Sequence, residues 1–233
     1  MMNHTKKLHG LVVIPAYNEE QSIAKVVHQA QAYLPVLVVD DGSVDDTVKI
    51  ARSAGAQVVQ IATNGGKGAA LRKGFQVAVE NKYDFVITLD GDGQHDPEEI
   101  PKFIKHFSIW HSDLVIGQRD FHRMPIVRRI SNTLSQVIFS WAVGRKIPDN
   151  QSGYRLISAH LMEALLVSDE NGFEFEVEMI VKCLIGNFRM RWIPIRTIYG
   201  EEKSHIHPIH HVVKFLQISF RTHTIMKKAF RYS

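Results

Sequence analysis

Leu11-Val12-Val13-Ile14-Pro15-Ala16-Tyr17-Asn18-Glu19-Glu20, and then Val36-Leu37-Val38-Val39-Asp40-Asp41-Gly42-Ser43, set the fold of this chain. Both segments begin as nearly unbroken runs of Val, Ile and Leu and end abruptly in polar residues or glycine. Strands buried on both faces of a parallel sheet read this way. Three further runs follow the same pattern, at Gln57–Ile61, Phe85–Leu89 and Leu114–Gly117. Helix-like stretches alternate with them at Glu20–Leu34, Asp45–Ala54, Lys67–Asn81 and Glu98–Trp110. Asp45 and Asp46 suit a helix start, Gly55 a helix stop, and Pro97 a first helical turn. The alternation predicts an α/β domain with a mostly parallel sheet flanked by helices, and such sheets bind ligands beyond the carboxyl ends of their strands.

The rest of the chain narrows the class. Its 233 residues, 45% hydrophobic and 22% charged, exclude a disordered chain and predict one large domain with an appended segment. Cys183 is the single cysteine, which rules out an intramolecular disulfide and a four-cysteine zinc site. Twenty-eight Lys and Arg against 24 Asp and Glu give +4, too mild a balance to indicate nucleic acid but compatible with an anionic substrate or an acidic membrane surface. The polar Met1–Gly10 stretch lacks the apolar run of a signal peptide, and no run is long enough to span a bilayer. A cytoplasmic protein, soluble or peripheral on the cytoplasmic membrane face, is expected.

The second half changes character. Ile126, Ile130, Leu134, Val137, Ile138 and Trp141 form an apolar stripe at helical spacing, flanked by Arg128, Arg129 and Arg145. It suits either core packing or a membrane interface. Further helices are expected at Ser158–Val167 and Phe175–Ile185, and a strand at Arg191–Ile195. The tail, residues 205–233, is basic and amphipathic, compatible with a surface helix, a contact between copies of the chain, or a membrane contact. His205, His207, His210 and His211 read as a partly basic loop near the site.

The strand ends carry the chemistry. Asp90-Gly91-Asp92-Gly93-Gln94-His95 places two carboxylates, one residue apart, in a turn after a buried strand, with Gln94 adding a neutral oxygen. Hard divalent cations take such oxygen donors together with substrate phosphates. A solvated turn is the plain alternative. Tyr17 offers an aromatic face to a nucleobase, and Asp41 can accept hydrogen bonds from base N–H groups. Asn64-Gly65-Gly66-Lys67-Gly68 can cradle phosphate oxygens. It lacks the spacing of a P-loop, and no G-x-G-x-x-G follows the first strand, which argues against an NTPase and a dinucleotide dehydrogenase.

Taken together, Val12–Glu19, Val38–Ser43, Gly66-Lys67-Gly68-Ala69-Ala70 and Asp90-Gly91-Asp92 resemble the family 2 inverting glycosyltransferases of GT-A fold. Gln94–Glu99, Ile116-Gly117-Gln118-Arg119, Asp149–Arg155, Phe173–Glu178 and Tyr199–Ser204 are similar to the polyprenyl- or dolichyl-phosphate mannosyltransferase branch. The resemblance runs from about Leu11 to Ser204, so a GT-A domain over residues 8–204 is expected. It implies a nucleotide-sugar donor of GDP-mannose or UDP-glucose type. Pro15, Tyr17, Glu19, Val39 and Asp41 would hold its nucleoside, and Asp90, Asp92 and Gln94 a Mg²⁺ or Mn²⁺ on its diphosphate. Gly91 would lie at the ribose or phosphate, and Arg119 and Lys203 would touch donor or acceptor phosphates.

An acceptor hydroxyl needs a general base, for which Asp149 is the positional candidate. A phosphate acceptor needs only cations to place it, and Arg128, Arg129 and Arg155 are available. The expected reaction is hexose transfer, mannose or glucose, to a polyprenyl phosphate at the membrane surface. A soluble acceptor and a non-catalytic nucleotide-sugar-binding module are the alternatives. This chain has Gly91 where branch members often carry Ala, and it lacks the C-terminal membrane helices of many relatives.

Overall fold

The structure, a computed structural model, describes residues 8–167, 174–198 and 208–229. Seven strands form one sheet in the order β3-β2-β1-β4-β6-β5-β7. They are β1 (Gly10–Ala16), β2 (Val36–Asp40), β3 (Gln57–Gln60), β4 (Phe85–Thr88), β5 (Leu114–Gln118), β6 (Arg155–Ser158) and β7 (Met190–Pro194). All pairings are parallel except those of β6 with β4 and β5.

The apolar runs are continuous because the pleat sends alternate residues to opposite cores. Leu11, Val13, Leu37 and Val39 enter one core, whereas Val12, Ile14, Val36 and Val38 enter the other. The second core is covered by α1 (Ile23–Gln31), α2 (Thr47–Ser53) and α4 (Ile100–Trp110). The first is covered by α3 (Lys67–Glu80), α5 (Ile126–Val143), α6 (Ala159–Leu165), α7 (Glu174–Ile185) and α8 (Pro208–Ala229). The expected strand and helix pattern is present with small shifts of the ends. Gly55 stops α2 at φ +94°, and Pro97 opens a short 3₁₀ turn whose start is capped by Asp96, which accepts from the Glu98 amide.

β6 is the element that the sequence did not announce. Its four residues begin with a charge, and the chain reaches it only after α5 and a long loop. It inserts antiparallel between β4 and β5, turning the parallel sheet into a mixed one.

The apolar stripe of α5 faces outward. Ser135, Phe139, Ala142 and Val143 turn to the core, while Ile130, Leu134, Val137 and Trp141 remain exposed. α8 lies against α5 and α7, and its Met226 joins the core. Among the described residues no helix is long and apolar enough to cross a membrane. The boundary expected at 204/205, with Lys203, His205 and His207, lies outside the described residues.

Candidate active site

Parallel pairing aligns the ends of β1, β2 and β4 along one edge of the sheet, and antiparallel β6 begins at the same edge. The register Ala16↔Asp40 and Thr88↔Arg155 brings Pro15–Glu19, Asp40–Ser43, Asp90–Gln94 and the loop before β6 together. The distant motifs therefore meet along one edge, beside a cleft lined by Asp90, Gln94, His95, Arg119, Arg128 and Gly153.

The glycine loop is tied to the second strand end. Asp41, almost fully buried, accepts from the Gly65 amide at 2.9 Å through one oxygen and from the Gly66 amide at 2.8 Å through the other. Gly66, at φ +90°, then starts α3, whose first residue is Lys67. That backbone angle favours glycine and turns the chain so that Lys67 reaches inward.

Lys67 Nζ lies 2.6 Å from Asp90 Oδ1 and 2.9 Å from Glu176 Oε1 on α7. Burial alone would lower the pKa of this ammonium, but the charges of Asp90 and Glu176 overcome it and hold the value above that of an ordinary lysine. Burial likewise opposes ionisation of Asp90, yet the charge of Lys67 brings its carboxyl down to about 2. Gly153 is a steric condition of this arrangement: a Cβ there would stand 2.8 Å from both Asp90 oxygens and from Lys67 Nζ.

His95 is buried and accepts the Asp90 amide at Nδ1, 3.1 Å away. The ring that accepts at Nδ1 carries its proton on Nε2, and burial lowers its pKa. Asp92 accepts the Gln94 amide at 2.9 Å. Its carboxyl is pushed up, first by burial and then by the charge of Asp90.

The donors fit a hard divalent cation. Asp90 and Asp92 present carboxylates and Gln94 an amide oxygen that accepts from Arg128, and Lys67 offsets only one of the charges of Asp90, Asp92 and Glu176. A divalent cation would relieve the like-charge repulsion that raises Asp92. Gly91 matches the departure noted in the sequence without disturbing this cradle. A Cβ there would stand 3.2 Å from Glu19 Cγ, so alanine asks only a small adjustment.

On the opposite wall Arg119 grips Asp149. Its Nε lies 2.8 Å from Oδ2 and its Nη2 3.0 Å from Oδ1, a bidentate pair, and Asp149 is fully buried. Asp149 also accepts the Gln151 amide, while Trp192 Nε1 donates to its carbonyl at 2.9 Å. The carboxylate is thus a clamp on Arg119, with both oxygens engaged. α5 holds the same loop through Gln136 Nε2, which donates to the Pro148 carbonyl, and Asn150, which donates to Ser135.

The arginines separate in role. Arg128 lines the cleft and donates to Gln94 Oε1 at 3.3 Å, whereas Arg129, one residue on, faces solvent. Arg155 is fully buried and donates to the carbonyls of Ser152, Asn150 and Glu176. It braces the start of β6 and does not face an acceptor. Val39, expected at a nucleoside, has its side chain in the core beneath the site because the pleat turns it there. Tyr17 is 47% exposed at the rim, and Pro15 and Glu19 stand beside the Asp90 turn, where Ser22 Oγ donates to Glu19 Oε2 and to the Gly91 carbonyl.

Sequence reading missed Glu176, His95 and Gly153 as parts of the site. Glu176, an acid between Phe175 and Val177 on a helix facing the core, was the most visible clue.

A profile described as Glycosyl transferase family 2 matches residues 11–165. An uncharacterized protein of Methanocaldococcus jannaschii is 34% identical over 209 residues, 86% of either chain. An undecaprenyl-phosphate mannosyltransferase of Micrococcus luteus is 30% identical over 209 residues, 82% of this chain and 86% of its own. Among solved structures, glucosyl-3-phosphoglycerate synthase from Mycobacterium tuberculosis, in complex with Mn²⁺, UDP-glucose and phosphoglyceric acid, superposes with a TM-score of 0.73. It shares 18% identity and covers 93% of this chain and 79% of its own, a likeness of fold. With a GT-A-like sheet and the family motifs gathered at one edge, the chain belongs to glycosyl transferase family 2 and is a glycosyltransferase.

Proposed function

We propose that the chain transfers a hexose, mannose or glucose, from a GDP-mannose- or UDP-glucose-type donor to a polyprenyl phosphate. The observation that carries this reading is the engagement of both Asp149 oxygens by Arg119. A hydroxyl acceptor needs a base, and the positional candidate is already spent. An acceptor phosphate arrives ionised and needs cations, which Arg119 and Arg128 supply on that wall of the cleft. The undecaprenyl-phosphate transfer recorded in the name of the Micrococcus luteus relative supports the same acceptor class.

Tyr17 offers its exposed ring to the base, and Asp41, by pinning Gly65 and Gly66, fixes the floor on which the nucleotide lies. Asp90, Asp92 and Gln94 would hold Mg²⁺ or Mn²⁺, which when bound neutralises charge on the donor diphosphate. An acceptor phosphate oxygen attacks the anomeric carbon from the face opposite the diphosphate. The bond from that carbon to the donor phosphate oxygen breaks, and the leaving nucleoside diphosphate takes the electron pair. Arg119 stabilises that charge, positioned in advance by Asp149. Lys67 and Glu176 hold Asp90 in place.

The test incubates the protein with labelled donor, Mn²⁺ and a polyprenyl phosphate in detergent. Label is expected in the organic phase as a sugar-phospholipid. Label that stays in water, attached to a soluble acceptor, would contradict the lipid reading.

A further inference from the structure

Between Asp120 and Asp149, and again after Glu202, the chain contains no Asp or Glu. The first segment contains α5 and the second α8, and these helices pack side by side. These two packed helices therefore carry basic side chains and no acidic one. Arg129, Arg145 and Lys146 are exposed around α5, and Lys227 and Lys228 on α8.

Between these cations lies exposed apolar surface. Val127 is 80% exposed, Ile130 63%, Leu134 58%, Val137 58% and Trp141 51%. Their spacing places them on one line along the helix, extending roughly 21 Å at 1.5 Å per residue. Phe220 of α8, 60% exposed, packs edge-on against Trp141 and carries the apolar strip onto the second helix. Monomeric proteins rarely leave such a strip to water.

We propose that this α5–α8 face seats the protein on an anionic lipid surface. The apolar strip would enter the headgroup boundary while its basic flanks meet lipid phosphates. The charge decides the occupant: a second copy would oppose one acid-free face to another, whereas an anionic bilayer complements it. The position also matters for transfer. Arg128, in the first turn of α5, reaches the cleft at Gln94, while the adjoining Val127 points to solvent. A phosphate at Arg128 would thus have its hydrocarbon chain leave along the strip. The inference deepens the lipid-acceptor reading and rests on it for its purpose, but adsorption is measured without donor or acceptor.

The test is flotation with neutral phosphatidylcholine vesicles and with vesicles containing about 30% phosphatidylglycerol. The protein is expected to float with the anionic vesicles only, and Leu134→Glu/Val137→Glu to weaken this about tenfold. That variant should keep the wild-type melting temperature and manganese-dependent nucleotide binding, since both positions are exposed and outside the cleft. Failure of the wild type to float, or equal flotation of the variant, would overturn the proposal. So would a lipid-free dimer in sedimentation velocity that the variant dissociates, which would assign the strip to a second copy. Intact flotation without transfer to polyprenyl phosphate would count against the acceptor reading alone.

Discussion

The Lys67 ammonium stands 2.6 Å from the Asp90 carboxylate, and this contact joins the glycine loop to the acidic turn at the bottom of the cleft. The same ammonium reaches Glu176 on α7, so one side chain bridges two acids from different elements. Removing one partner from a buried ion network leaves an uncompensated charge, which costs about 3–5 kcal/mol. Lys67→Met is expected to lose stability of that order in urea unfolding and to lose manganese-dependent nucleotide binding. Glu176→Gln, which keeps shape and hydrogen bonding, is expected to lose less.

Gly153 tests the same contact by space alone. Its missing Cβ leaves room for the Asp90 oxygens and Lys67 Nζ, each 2.8 Å from where that atom would lie. Gly153→Ala is expected to lower kcat/KM by about 100-fold through displacement of Asp90, with overpacking costing about 1–3 kcal/mol. Gly91→Ala, whose added atom would meet only the flexible Glu19 side chain at 3.2 Å, is expected to stay within about threefold of wild type.

Arg119 and Asp149 act as a unit through their bidentate contact. If Asp149 serves to hold Arg119, the losses in kcat from Asp149→Asn and Arg119→Lys are expected to overlap in the double variant. A coupling energy of about 1–3 kcal/mol in the double-mutant cycle is the predicted result. Additive losses would restore an independent role, such as general base, to Asp149.

Acid sensitivity follows from Asp90. Burial opposes its ionisation, but Lys67 holds its folded carboxyl at about 2, below roughly 4 in an unfolded chain. A depressed value means that the unfolded state takes up protons first. The stabilising contribution, about 2 kcal/mol, is complete above about pH 4 and is lost as the pH falls toward 2. Urea unfolding across that window is expected to show a smaller loss for Asp90→Asn than for wild type.

Much of this was legible in the chain because both faces of β1 and β2 are buried, which writes each as an unbroken apolar run before a polar end. The motifs at those ends then had to meet along one edge. β6 was not legible: it is short, starts with Arg155, and takes its place only after the chain returns through α5. Arg155 itself illustrates the limit, since sequence shows a cation, and only the fold shows that backbone carbonyls surround it. The Arg119–Asp149 and Lys67–Glu176 pairs are likewise products of tertiary packing, with no local spacing to betray them. The α5 stripe was visible, but its direction was not, because helical periodicity identifies a face and not what lies opposite it.

The proposed transfer requires Asp90 and Asp92 to hold a divalent cation against the donor diphosphate. Crystals soaked with manganese and GDP or UDP test it through anomalous scattering. A manganese peak bridging both carboxylates and a nucleotide phosphate, absent in Asp92→Ala together with turnover, is the predicted result. A nucleotide bound without that peak, or full activity of Asp92→Ala, would contradict it.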